Sequence, residues 1–195
     1  IYGDIWTPRL NYKWASPDES SILRVGFGTG YRVVNVFTED HAALTGARDV
    51  VFTEDILPEK SWNVNVNWNQ KLYSKFGTIF DLDLSVFKTV FSNRILPDYE
   101  TNPNQIIYSN LDGKSVTQGV TLNVNSLSAN GLKINLGATF IDSKIIQNNE
   151  TEYPFLTEKF SGNYRISYTI YNPKITFDLS GTVIGPMKLP LLGAL

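Results

Sequence analysis

Residues 62–69 read WNVNVNWN. Trp62, Val64, Val66 and Trp68 alternate without error with Asn63, Asn65, Asn67 and Asn69. Successive strand side chains point to opposite faces, so this segment has one apolar face and one amide face. A helix would scatter both classes around its circumference. Alternation alone fits any half-buried antiparallel strand. Tryptophan at both ends of the apolar face is more specific, because lipid-facing strands carry aromatics at the two water interfaces.

The same period recurs along the chain. Phe80, Leu82, Leu84 and Val86 oppose Asp81, Asp83 and Ser85. Val116, Val120, Leu122 and Val124 oppose Thr117, Gly119, Thr121, Asn123 and Asn125, with Gln118 a polar intruder on the apolar side. Leu132, Ile134, Leu136, Ala138 and Phe140 form a further apolar face, as do Tyr164, Ile166, Tyr168 and Ile170, then Ile175, Phe177, Leu179 and Val183. Residues 4–14 and 23–31 are less regular but strand-like. The chain reads as about eight strands and no helix.

The connections alternate in length. Residues 15–21, 70–76, 126–131 and 171–174 are short; 33–60, 92–107 and 142–159 are long. Short turns at one end and long loops at the other are the pattern of a transmembrane barrel. The expected fold is therefore all-β, an antiparallel up-and-down meander forming part of a transmembrane β-barrel. A soluble β-sandwich or lipocalin-like module stays open as the alternative, since its apolar face would pack on a second layer.

Composition narrows the function classes. Lys+Arg number 17 against 19 Asp+Glu, for a formal net charge of -2, which offers no basic stripe for nucleic acid. Cysteine is absent, which removes disulfides and thiolate metal sites, and His41 is the one histidine. No apolar run approaches the ~18 residues a membrane helix needs, but barrel strands need only about ten each. The chain opens on Ile1-Tyr2-Gly3 and closes on apolar Leu191-Leu192-Gly193-Ala194-Leu195, so it reads as a fragment of a longer protein or as the mature part of one.

Particular residues add a resemblance. Residues 23–39 read LRVGFGTGYRVVNVFTE, 57–63 LPEKSWN, 86–95 VFKTVFSNRI, 107–110 IYSN and 116–122 VTQGVTL. In this order and spacing the chain resembles the C-terminal barrel portion of a TonB-dependent outer-membrane receptor. NVFTEDHAALTGAR at 35–48 is similar to the Bacteroidetes type. The matching positions are Arg24, Gly30-Tyr31-Arg32, Glu39 and Leu57-Pro58-Glu59. The resemblance implies a barrel of about 22 strands, of which residues 1–195 supply about eight. The plug domain, the TonB-engaging segment and the last strands are not in this sequence. It also implies residence in the Gram-negative outer membrane and energised uptake of a scarce nutrient such as a ferric siderophore, cobalamin or a glycan. The implied partners are outer-membrane lipid, a small nutrient ligand, and the TonB complex through the missing N-terminal part. No enzymatic chemistry, cofactor or nucleic acid is implied. A passive porin-like barrel is the further alternative, and two open sheet edges invite self-association of this piece.

The candidate residues weigh differently. Glu39, Asp40 and His41 carry metal-ligand chemistry, but adjacent residues rarely converge on one ion and a polar loop is the simpler reading. Asp112-Gly113 lacks the further carboxylates of a calcium loop. Asp81 and Asp83 share one strand face about 7 Å apart, a glycosidase-like spacing, yet a polar wall explains them better. Gly26-Phe27-Gly28-Thr29-Gly30 resembles a phosphate loop but leads into no helix. No Gly-x-Ser-x-Gly motif accompanies His41. Asn149-Glu150-Thr151 is a sequon that means little in a bacterial protein. The loops 33–60 and 94–108 are the expected ligand-facing segments, through Glu39, Asp40, His41, Arg48, Arg94, Tyr99 and Tyr108.

Overall fold

Alternating strands this long leave backbone groups that only neighbouring strands can satisfy, and the chain pairs each with the next. The computed structural model describes residues 4–33, 49–52, 56–98, 101–147 and 150–189. Eight long strands form the main sheet: β1 (Arg9–Ala15), β2 (Ser21–Arg32), β4 (Glu59–Tyr73), β5 (Thr78–Ser92), β8 (Gly113–Ser128), β9 (Leu132–Gln147), β11 (Phe160–Tyr171) and β12 (Lys174–Ile184). Their order is β1-β2-β4-β5-β8-β9-β11-β12, every pair antiparallel, and the short β10 (Glu150–Glu152) folds back on β9. This is the expected meander. Among the described residues no helix is long and apolar enough to cross a membrane.

The register sorts the side chains. Trp68 stands opposite Leu23 and Leu84, Leu84 opposite Leu122, and Leu122 opposite Ala138. Leu82 and Val124 lie in the next row, with Leu136 beyond them. Tyr164 continues that row, and Ile166 pairs with Leu179 while Tyr168 pairs with Phe177. All the apolar positions singled out in the sequence therefore share one face. That face is open: Leu136 is 45% exposed, Leu179 59% and Phe177 60%. Among the described residues no second sheet packs on it, which removes the sandwich alternative at the level of fold.

The long connections hold the departure from expectation. β3 (Asp49–Phe52), β6 (Ile95–Asp98) and β7 (Gln105–Asn110) form a separate three-stranded sheet, with β3 parallel to β7 and β6 antiparallel to it. Ile95, Ile106, Tyr108 and Leu111 are the buried hydrophobic residues among those described, and Val50 and Ile56 pack against the first three. The dry core among the described residues thus lies in this loop cap, at the end of the sheet where the long connections emerge.

Candidate functional site

On the polar face, asparagines and carboxylates bridge the strands. Asn67 Nδ2 lies 3.0 Å from both carboxylate oxygens of Asp83, and Asn69 Nδ2 donates to Asp81 Oδ1 at 2.6 Å. Arg24 donates to Asn67 Oδ1 at 3.2 Å and Asn63 to Thr89 Oγ1 at 2.7 Å. Across β11 and β12, Arg165 and Ser167 both donate to Asp178. Asp81 and Asp83 thus accept from amides on the neighbouring strand, an arrangement that builds a polar wall.

The glycine run belongs to the same wall. A Cβ on Gly26 would lie 2.2 Å from Asn65 Oδ1, and one on Gly30 would lie 2.6 Å from Ser61 Oγ. These glycines sit in mid-strand and give room to polar side chains of β4. The phosphate-loop geometry is not formed.

Where the sheet meets the cap, polar groups converge on Glu59. Its side chain is 6% exposed; Oε2 accepts from Arg32 Nε at 2.5 Å and Oε1 from the Ile95 amide at 2.8 Å. Arg94 donates to Ser115 Oγ at 2.7 Å, and its guanidinium lies 5.6 Å from the Phe91 ring centroid. Burial pulls the Arg94 pKa down, while the Glu59 charge pushes it up. Asn110 closes the joint: its Oδ1 accepts from the Leu57 amide at 2.7 Å, and its Nδ2 donates to the carbonyls of Leu57 and Asn93, each at 2.9 Å. One amide side chain thereby ties the entry of β4 to the exit of β5. The arrangement ties the loop cap to this end of the sheet.

Of the expected site residues, Arg94 enters this joint and Tyr108 enters the core of the cap. Tyr108 is 5% exposed, with its ring 5.7 Å from that of Phe52. Glu39, Asp40, His41, Arg48 and Tyr99 lie outside the described residues. Among the described residues, no three of His, Asp and Glu gather into a group that could hold a metal. Glu59 was legible only as part of a motif. Its position directly after Pro58 and before the clearest strand was the available signal, but its need for a cation follows from burial, which the sequence does not display.

A second recess of about 300 Å³ lies at the same end, lined by Ile141, Ser143, Tyr153, Lys159, Met187 and Lys188. Lys159 Nζ stands 4.2 Å from the Tyr153 ring and Lys188 Nζ 4.4 Å from that of Phe155. The Leu156 amide donates to the Lys188 carbonyl at 2.8 Å, joining two connecting segments across the mouth.

The profile of the family described as TonB dependent receptor-like, beta-barrel, matches residues 2–186. The chain belongs to this TonB-dependent receptor barrel family. Two solved structures share the fold. One is the FrpB iron transporter from Neisseria meningitidis (F3-3 variant), at TM-score 0.67 and 14% identity, covering 90% of this chain and 26% of that one. The other is a double mutant of the Serratia marcescens hemophore receptor HasR in complex with its hemophore HasA and heme, at TM-score 0.69 and 15% identity, covering 91% of this chain and 32% of that one. The TonB-dependent receptor barrel segment thus spans about a quarter to a third of these structures. No curated protein sequence matches the chain.

Proposed function

We propose that this chain is the wall and part of the mouth of an outer-membrane receptor that takes up a scarce nutrient in a TonB-driven cycle. The observation that carries it is the segregation of the sheet. One face is unbroken hydrocarbon through its middle, the other is cross-linked amide and carboxylate, and this continues over eight antiparallel strands of a receptor-family sequence. In such a barrel the apolar face meets lipid and the polar face meets the lumen. The structural neighbours are named for iron and for heme, which favours an iron-bearing cargo among the ferric siderophore, cobalamin and glycan classes. The loops carrying Glu39, Asp40, His41, Arg48 and Tyr99 would meet the ligand, braced by the joint that holds Arg94 and by the cap core that holds Tyr108. A plug and a TonB-contacting segment would be supplied by the rest of the receptor. The likeness of residues 35–48 to the Bacteroidetes type belongs to this reading.

Uptake of a radiolabelled ferric siderophore, cobalamin and oligosaccharide by cells with and without the full-length receptor tests it. Uptake of one of them should require both the receptor and functional TonB. Receptor-dependent uptake that persists without TonB would instead mark a passive barrel, and no receptor-dependent uptake of any of the three would overturn the nutrient assignment.

A further inference from the structure

The apolar face carries its charges at one end only. From Phe140 to Leu132 on β9, about 27 Å of strand and roughly 20 Å of height at the usual tilt, the outward positions are uncharged. The matching stretches of β4, β5 and β8 are uncharged as well. Toward the long connections the same face turns polar. Lys88 stands opposite Gln118, and Gln118 opposite Asp142. One row further, Lys144 stands opposite Val116. Lys144 Nζ lies 2.8 Å from Asp142 Oδ2, and Gln118 Nε2 donates to the same oxygen at 3.2 Å. Lys159 joins them along a groove of about 580 Å³, whose lower wall is Val66, Val86, Val120 and Phe140.

The height of this row is fixed by the stagger of the strands. Ser21 pairs with Gln70, three residues before Tyr73. Tyr73 carries across the register to Ser167, four residues before Tyr171. A line of constant height therefore crosses the rows diagonally, by about one residue per strand. From Trp62, whose own row runs through Val90 and Val116, it reaches the level of Gln118 two strands on. An aromatic near the level where charged and amide side chains begin marks where hydrocarbon gives way to headgroups.

We propose that this groove binds a phosphate-bearing lipid, with its headgroup among Lys88, Gln118, Lys144 and Lys159 and its acyl chains along Val66, Val86, Val120 and Phe140. Asp142 holds Lys144 and Gln118 in place. Lys88 and Lys159 line the groove and Lys144 stands beside it on Asp142, which leaves this level cationic and complementary to a phosphate monoester, and the apolar row below has the chemistry of a chain. The inference rests on the lipid-facing reading of this face.

The test uses the full-length receptor in neutral detergent micelles, titrated with dioleoyl phosphatidate, dioleoyl phosphatidylcholine and inorganic phosphate. Phosphatidate should bind best. Replacing Lys88, Lys144 and Lys159 together by Gln should weaken it about a hundredfold, roughly fivefold per lysine. The triple Arg variant should stay within about twofold of the wild type. A control with K13Q and K71Q, on the polar face, should bind normally. Equal binding by the triple Gln variant, equal loss in the Gln and Arg variants, or full displacement by millimolar phosphate would each overturn the proposal. A receptor that binds no phosphatidate but still fractionates with outer membranes would refute the groove and leave the lipid-facing reading intact.

Discussion

Ile106 has no exposed surface, although it belongs to a core of three buried side chains at the edge of a largely open sheet. In so small a core one side chain carries much of the packing. Ile106→Ala should cost about 2–3 kcal/mol of local stability, the lower part of the range for such truncations because a small cap can relax around the void. The loss should be confined to the cap. Limited proteolysis should open the segment 94–111 while the strands below resist; cleavage throughout the sheet would show that the cap is not an independent unit. A different balance governs Asp18 in the turn between β1 and β2. Hydrogen bonds from Ser16 Oγ at 2.6 Å and the Ser20 amide at 3.3 Å hold its carboxyl at about 2, below the ordinary 3.8. A depressed folded value means the bonds support the turn fully above pH 3.8 and are lost as the pH falls through about 2. Proton exchange at the Ser20 amide should therefore accelerate in that window, and D18N should abolish the step. A step of the same size in D18N would assign it to another group.

At the level of elements, the joint around Glu59 decides whether the cap is held to the barrel rim. Glu59→Ala removes the acceptor of the Ile95 amide and of Arg32 together. A hydrogen bond to a charged group contributes about 1.5–3 kcal/mol, so the cap should loosen by roughly that amount. Hydrogen exchange should rise at Ile95 and Leu111 and stay unchanged at the centre of β8. Unchanged exchange at Ile95 would sink the idea of a tether. The long strands were legible because burial on one face and water on the other writes itself as a period of two, and WNVNVNWN writes it without an error. The cap was not legible. DVVF and QIIY are short apolar runs joined in parallel across more than fifty residues of chain, and neither periodicity nor turn chemistry announces such a pairing. Arg94 and Tyr108 could be chosen from the sequence as loop residues at a mouth. Their surroundings depended on distant partners, Glu59 of β4 and Ser115 of β8 for Arg94, Phe52 of β3 and Ile95 of β6 for Tyr108.

For the molecule as a whole, the apolar face sets the behaviour of this chain in water. Leu122, Leu136, Phe177, Leu179 and Val183 are each more than 40% exposed on one continuous surface. Soluble monomers seldom leave more than a few hundred Å² of contiguous apolar surface uncovered. The polar face offers no compensation, because its amides and carboxylates already bond to one another across the strands. At both ends of the sheet, β1 and β12 each have one hydrogen-bonding side unpaired by the described residues, which templates further pairing. The 195-residue chain taken alone should therefore sediment as an oligomer without detergent and as a single species in detergent micelles. Trp62 and Trp68 should be shielded from an aqueous quencher in both conditions. A detergent-free monomer with both tryptophans quenched would mean that water tolerates this face, and the lipid-facing assignment would fail. A detergent-free monomer with both shielded would mean that the chain folds its apolar face onto itself, which the eight-stranded open sheet cannot do without abandoning the meander.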